Sequence, residues 1–193
     1  MTPIITTAPA AYPVSLAELR THLTIETQEF DARLAALIAT ATEMVEAKAN
    51  RALVTRAYRA FVDQRNTPEG GYPDVIELPR APLVAVQAIT TVSDTGAESV
   101  FDPANYFVDT SGVVGRVCLY PGASWPASRL QNGLMIDWTA GFGSTPGAVP
   151  EMLRHAILVA AAWLYEQTGD GAGAELPAAV VHLIAPHKNW IIA

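Results

Sequence analysis

Few residues in this chain have the types and spacing that chemistry needs. Four histidines stand at His22, His155, His182 and His187. A helical metal site wants imidazoles or carboxylates one turn apart. His155 falls in no Glu-x-x-His or His-x-x-x-His pair, and His182 and His187 are separated across Pro186. All four read as surface or interface residues. Ser124 lies in PGASWP, which is not the G-x-S-x-G turn that exposes a nucleophilic serine, and no histidine and acid follow in a recognisable order. GDGAGAE is glycine-rich but lacks the Lys-Ser/Thr of a phosphate loop, so it reads as a linker. TAGFG has no basic neighbour and reads as a strand-to-helix turn. Cys118, the one cysteine, alternates in the strand-like run GRVCLY as a small buried residue and can build neither a disulfide nor a CxxC site. The carboxylates are scattered and form no catalytic dyad. A hydrolase working through Ser124 or His155 is therefore the weakest functional reading. The expectation is no enzyme, no cofactor and no metal.

Charge narrows the partners. The chain has 12 Lys and Arg against 19 Asp and Glu, a net charge of −7, and the basic residues form no cluster. A protein that grips nucleic acid needs cations gathered against phosphate, so direct DNA binding is disfavoured, while DNA could slide past without sticking. Charged residues are 16% of the chain, below the usual share of about 25%. With half the residues apolar, that hints at buried area between subunits. No apolar run is long enough to span a membrane, and MTPIITTAPAAYPV, broken by three prolines, reads as an extended arm rather than a signal peptide.

The elements that must position these residues follow from periodicity. Ser15 and Glu18 make an S-x-x-E capping box before Leu16, Leu19 and Leu23, which predicts a short helix. Phe30, Leu34, Leu37, Ile38, Ala41, Val45 and Ala49 predict a long helix over about 28–49, with Asn50 as its stop. Its other face carries Ala36, Ala39, Thr40 and Thr42. These small residues either admit a neighbouring backbone or merely reflect alanine's helix propensity. From residue 55 the period becomes two, and TRAYRAFVD, VIEL, LVAVQAITTV, NYFVD, GRVCLY and GLMIDWTAG read as strands. EMLRHAILVAAAWLYEQ returns to helical period. Met152, Val159 and Trp163 lie off its main stripe, so this helix is either central to the domain or has one face in an oligomer contact. A last short helix over about 176–185 stops at Pro186. Trp138 and Trp163, in periodic elements, read as core, and Trp125 as a loop contact or cap on the sheet. Trp190 either folds back on its own domain or anchors an interface.

The expected class is α+β: a helical bundle in which the short and long N-terminal helices pack with the C-terminal helices, carrying an inserted small antiparallel β region. The expected divisions are an arm over 1–14, a helical domain over 15–54 and 149–185, the β-rich insertion over 55–148, and a tail over 186–193.

The order of motifs carries a resemblance. PVSLAELRTHL, VEAKANRALVTRAY, IELPRAPLVAVQAITTV, DPANYFVD, GRV, IDWTAGFG, VPEMLRHAILVAAAWLYE and LPAAVVHLIAPHK follow one another from about Pro13 to Lys188. In this order they resemble the head–tail connector (adaptor) proteins of tailed phages, prophages and gene transfer agents. The resemblance implies a structural virion protein at the capsid–tail junction, assembled in the host cytoplasm. It implies a ring of identical subunits, typically a dodecamer, bound under the portal protein and meeting a stopper or tail protein on its far side. DNA would pass through the channel without sequence-specific binding. It also implies that the segment after the last helix, with Pro186, His187, Lys188, Trp190, Ile191 and Ile192, docks on the portal. Ala36, Ala39, Thr40, Met152, Val159 and Trp163 are the candidates for contact between ring subunits. A DNA-packaging accessory or a tail-completion protein is the alternative.

Overall fold

Ser15 sets the first helix. In the computed structural model, which describes residues 1–64, 72–167 and 175–189, Ser15 has extended backbone and its hydroxyl accepts from the Glu18 N–H. The Glu18 carboxylate accepts in return from the Ser15 N–H at 2.7 Å. Two of the donors that a helix start leaves orphaned are thereby satisfied, and α1 runs Leu16–Leu23. Val14 and Leu19, the residue before the cap and the fourth residue of the helix, are both buried, as a hydrophobic staple requires. The long helix α2 spans Asp31–Ala49. It starts later than its apolar repeat predicts because the Asp31 N–H bonds to the Gln28 carbonyl and closes a turn ahead of the helix. Asn50 stops it with φ of 51°, a left-handed conformation that asparagine tolerates. The later helices are α3 (Glu151–Glu166) and α4 (Ala178–Ile184), the latter running into a 3-10 turn at Ala185–His187.

Eight strands lie among the described residues: β1 (Ile4–Ile5), β2 (Arg56–Val62), β3 (Val75–Leu78), β4 (Leu83–Val92), β5 (Glu98–Val100), β6 (Tyr106–Asp109), β7 (Gly115–Leu119) and β8 (Leu134–Ala140). They form a five-stranded sheet in the order β1-β2-β8-β4-β5 and a three-stranded sheet in the order β3-β7-β6, both antiparallel throughout.

The chain divides into two compact units. The β unit holds Met1–Ala8 and Thr55–Gly141. Its centre is Tyr58, Ala60, Ile89, Leu134, Ile136 and Trp138, all nearly inaccessible to solvent, with the Tyr58 and Trp138 rings stacked at 5.7 Å. Gly115 is where its two sheets come close: a Cβ there would lie 2.3 Å from the Leu83 Cβ. The helical unit runs from Pro9 to Val54 and again from Phe142. Leu19, Leu34, Ile38, Val45, Leu153, Ile157, Val180 and Ile184 share its core, so α1 to α4 all contribute.

These findings correct the expected architecture. The protein is not a helical bundle with a small β insertion: its described residues combine four helices with two antiparallel sheets of eight strands, and 34% of them are helical against 26% strand. Two features lay outside what periodicity can detect. β1 and β5 are two- and three-residue strands that exist through their pairing with β2 and β4. The stretch between β7 and β8 is bound into the β unit by Trp125 Nε1 donating to the Pro73 carbonyl, the Tyr72–Ser128 hydroxyl pair, and the Asn132 N–H on Asp63.

Candidate assembly surfaces

The residues considered for catalysis lie on separate elements. Ser124 is exposed in the loop after β7, within the β unit, and His155 is exposed on α3, within the helical unit. The His155 ring meets His22 of α1 edge to face, with centroids 6.1 Å apart. His182 is exposed on α4. Burial pushes the Cys118 thiol up, away from the reactive thiolate. No group of three or more metal-ligating side chains gathers among the described residues, and no described helix is long and apolar enough to cross a membrane. Gly143 lies in the strand-to-helix turn, where a Cβ would meet that of Ala148 at 2.5 Å. The glycine run 169–173 lies outside the described residues.

The helical unit presents two outward faces. On α2, Leu34, Ile38, Ala41 and Val45 point into the core. Ala36 and Thr40 are exposed on the far side, and Ala39 is half-buried at its margin. The Thr40 hydroxyl donates to the Ala36 carbonyl at 3.1 Å, which turns the polar group onto its own helix and leaves a smooth, small-residue surface. Thr42 is not part of that face: it is buried, and its hydroxyl donates to the Ile38 carbonyl. On α3, Leu153, Ala156, Ile157, Ala160 and Ala161 face the core. Met152 is 41% exposed, and Val159 and Trp163 are half-buried on the same flank.

The segment after α4 has a fixed base. The Asn189 N–H donates to the Ala49 carbonyl at 2.8 Å, and Asn189 itself is buried. Arg51 Nε donates to the His187 carbonyl, while its guanidinium stands 5.7 Å over the Phe142 ring. Burial lowers the pKa of Arg51. It also lowers that of His187, to which the nearby Arg51 charge adds. Pro186 is exposed and Lys188 half-buried. Trp190, Ile191 and Ile192 of the expected docking segment lie outside the described residues.

Residues 13–94 match the model of the phage gp6-like head–tail connector protein family. That match spans less than half of the chain. Among solved structures, the chain is similar over its whole length to a chain in the neck of an empty gene transfer agent (GTA) particle computed with C6 symmetry, at 26% identity and a TM-score of 0.83. A chain in the neck of the native GTA particle, computed with C12 symmetry, matches at 27% identity and 0.80. A chain in the native GTA virion matches at 28% identity and 0.80. Each match covers 100% of this chain and 98% of the other. No curated protein matches the chain significantly.

The structure adds residues that sequence reasoning missed. Arg154 joins the N-terminal segment to α1 and α3: its Nε donates to the Pro13 carbonyl, and its terminal nitrogens pair with Glu18 and Glu151. An apolar groove of about 350 Å³ opens between that segment and α2, walled by Tyr12, Val14, Leu16, Ala35, Ile38 and Pro146. The run Tyr12-Pro13-Val14 read as an arm because prolines break its periodicity. Only its apolar side chains, set directly before a capping box, pointed to a packed role.

Proposed function

We propose that the chain is a head–tail connector that assembles as a ring under a portal vertex, extends the DNA channel and joins capsid to tail. The observation that carries this reading is full-length similarity to neck chains of GTA particles computed with C6 and C12 symmetry. The family match over residues 13–94 agrees with it. A net charge of −7 without a basic cluster suits a channel that lets DNA pass without binding phosphate. The role is structural, not enzymatic, and its place is the capsid–tail junction of the virion, after assembly in the host cytoplasm.

In this reading twelve subunits contact one another through Ala36, Ala39 and Thr40 of α2 and Met152, Val159 and Trp163 of α3. Cyclic closure requires two different faces on each subunit, and these helices offer two. The portal receives the segment from Pro186, His187 and Lys188 through Trp190, Ile191 and Ile192. The clamp of Arg51 and Ala49 on His187 and Asn189 gives that segment a rigid base. A stopper or tail protein meets the distal side. Negative-stain microscopy of the protein mixed with its portal protein tests the reading: rings capping the portal are expected, and portal particles left bare would overturn it.

A further inference from the structure

The ring reading leaves open which surface receives the α3 flank, and we infer that it is the apolar groove beside α2 of the next subunit. The inference rests on the proposed ring and names its contact. A cyclic ring joins unlike faces head to tail, so a donor surface on each copy needs a different acceptor on the same copy. The described residues of the helical unit offer both. The donor is the stripe Met152, Val159 and Trp163, which holds a tryptophan and a methionine, residue types enriched at interfaces. The acceptor is the groove walled by Tyr12, Val14, Leu16, Ala35, Ile38 and Pro146, where Tyr12 stays 46% exposed.

Helical phase separates the two. On α3, Arg154 reaches the Pro13 carbonyl and Glu18, and Leu158 lines a hollow with Ala17, Thr21 and His22 of α1. These two residues mark the side of α3 that faces α1 and the N-terminal segment. At 3.6 residues per turn, Met152, Val159 and Trp163 lie about 140° round the helix axis from them. The stripe therefore looks away from the groove, and one copy cannot cover its own groove with its own stripe. A second copy, rotated about the ring axis, can. The small face of α2 extends the acceptor, because Ala39 and Ala36 follow Ala35 round the helix away from the core and would let the incoming helix approach closely.

The test uses two single-cysteine chains in a Cys118→Ser background, Tyr12→Cys and Met152→Cys, both at exposed positions. Each is assembled alone on the portal, and the two are assembled as a mixture, before mild oxidation. The expected result is a disulfide-linked pair of chains in the mixture only. A cross-link in either chain alone would mean like meeting like and would overturn the inference. Rings that form without any mixed cross-link would also overturn it, while leaving the ring reading intact. Failure to form rings would overturn both. Met152→Glu and Tyr12→Glu provide a second readout: each should abolish rings while leaving the subunit's melting temperature unchanged, and intact rings with both variants would reject the contact.

Discussion

At the scale of single residues, three positions make distinct predictions. Ser15 closes the capping box on α1, so Ser15→Ala should cost about 1 kcal/mol in chemical denaturation, the usual value of an N-cap. Gly115 and Gly133 are required by close approach. A Cβ at Gly115 would enter the Leu83 side chain, and one at Gly133 would lie 2.0 Å from the Arg129 carbonyl oxygen. Gly115→Ala should cost about 1–3 kcal/mol, the range for overpacking a core. Gly133→Ala should cost more in the same denaturation experiment, because backbone rather than a side chain must move. Asp109 accepts from the Ser111 hydroxyl and N–H and from Arg116, which together hold its pKa at about 2, below the ordinary 3.8. A carboxyl lowered in the folded state stabilises it above the unfolded pKa and loses that effect as the pH falls through the folded value. The difference in melting temperature between wild type and Asp109→Asn should therefore persist above about pH 4 and vanish towards pH 2.

At the scale of elements, the small face of α2 carries its own prediction. Ala36 is exposed and opposite the core, so a bulky residue there should disrupt ring formation far more than the thermal stability of the subunit. Microscopy and melting curves on Ala36→Trp would separate the two, and equal damage would assign the face to folding. Much of the element order was legible in the chain. The Ser15–Glu18 box and the stripe from Leu34 to Ala49 are local patterns, and α1 and α2 follow from them. The alternation in GLMIDWTAG placed Leu134, Ile136 and Trp138 on one face, and all three are buried. What escaped reading is non-local. β2 pairs with β8 across more than seventy residues of intervening chain, and Ile4–Ile5 becomes a strand only because Arg59 and Tyr58 lie opposite it. The β part looked small because its order depends on single side chains such as Trp125 and Ser128, which have no period. The same holds at the candidate surfaces. The α3 stripe of Met152, Val159 and Trp163 is visible as periodicity, but the groove needs a proline-broken segment brought against Ala35 and Ile38. Neither Arg154 nor Tyr12 gave a sign of its partner.

At the scale of the whole molecule, an acidic chain whose described residues form no catalytic group is similar over its full length to chains in symmetric particle necks. The helical unit supplies two apolar faces that a monomer leaves partly wet. The base of the C-terminal segment is anchored to α2 through Asn189, so a truncation that probes docking should begin after it. Removing Trp190–Ala193 should preserve the melting temperature and weaken attachment to the portal in a pull-down, and unchanged binding would reject the segment's docking role. The most direct test of the central claim is the mass of the species bound to one portal ring, measured by native mass spectrometry. The account predicts a closed set of twelve copies of the 20.5 kDa chain; a single copy per portal, or none, would contradict it.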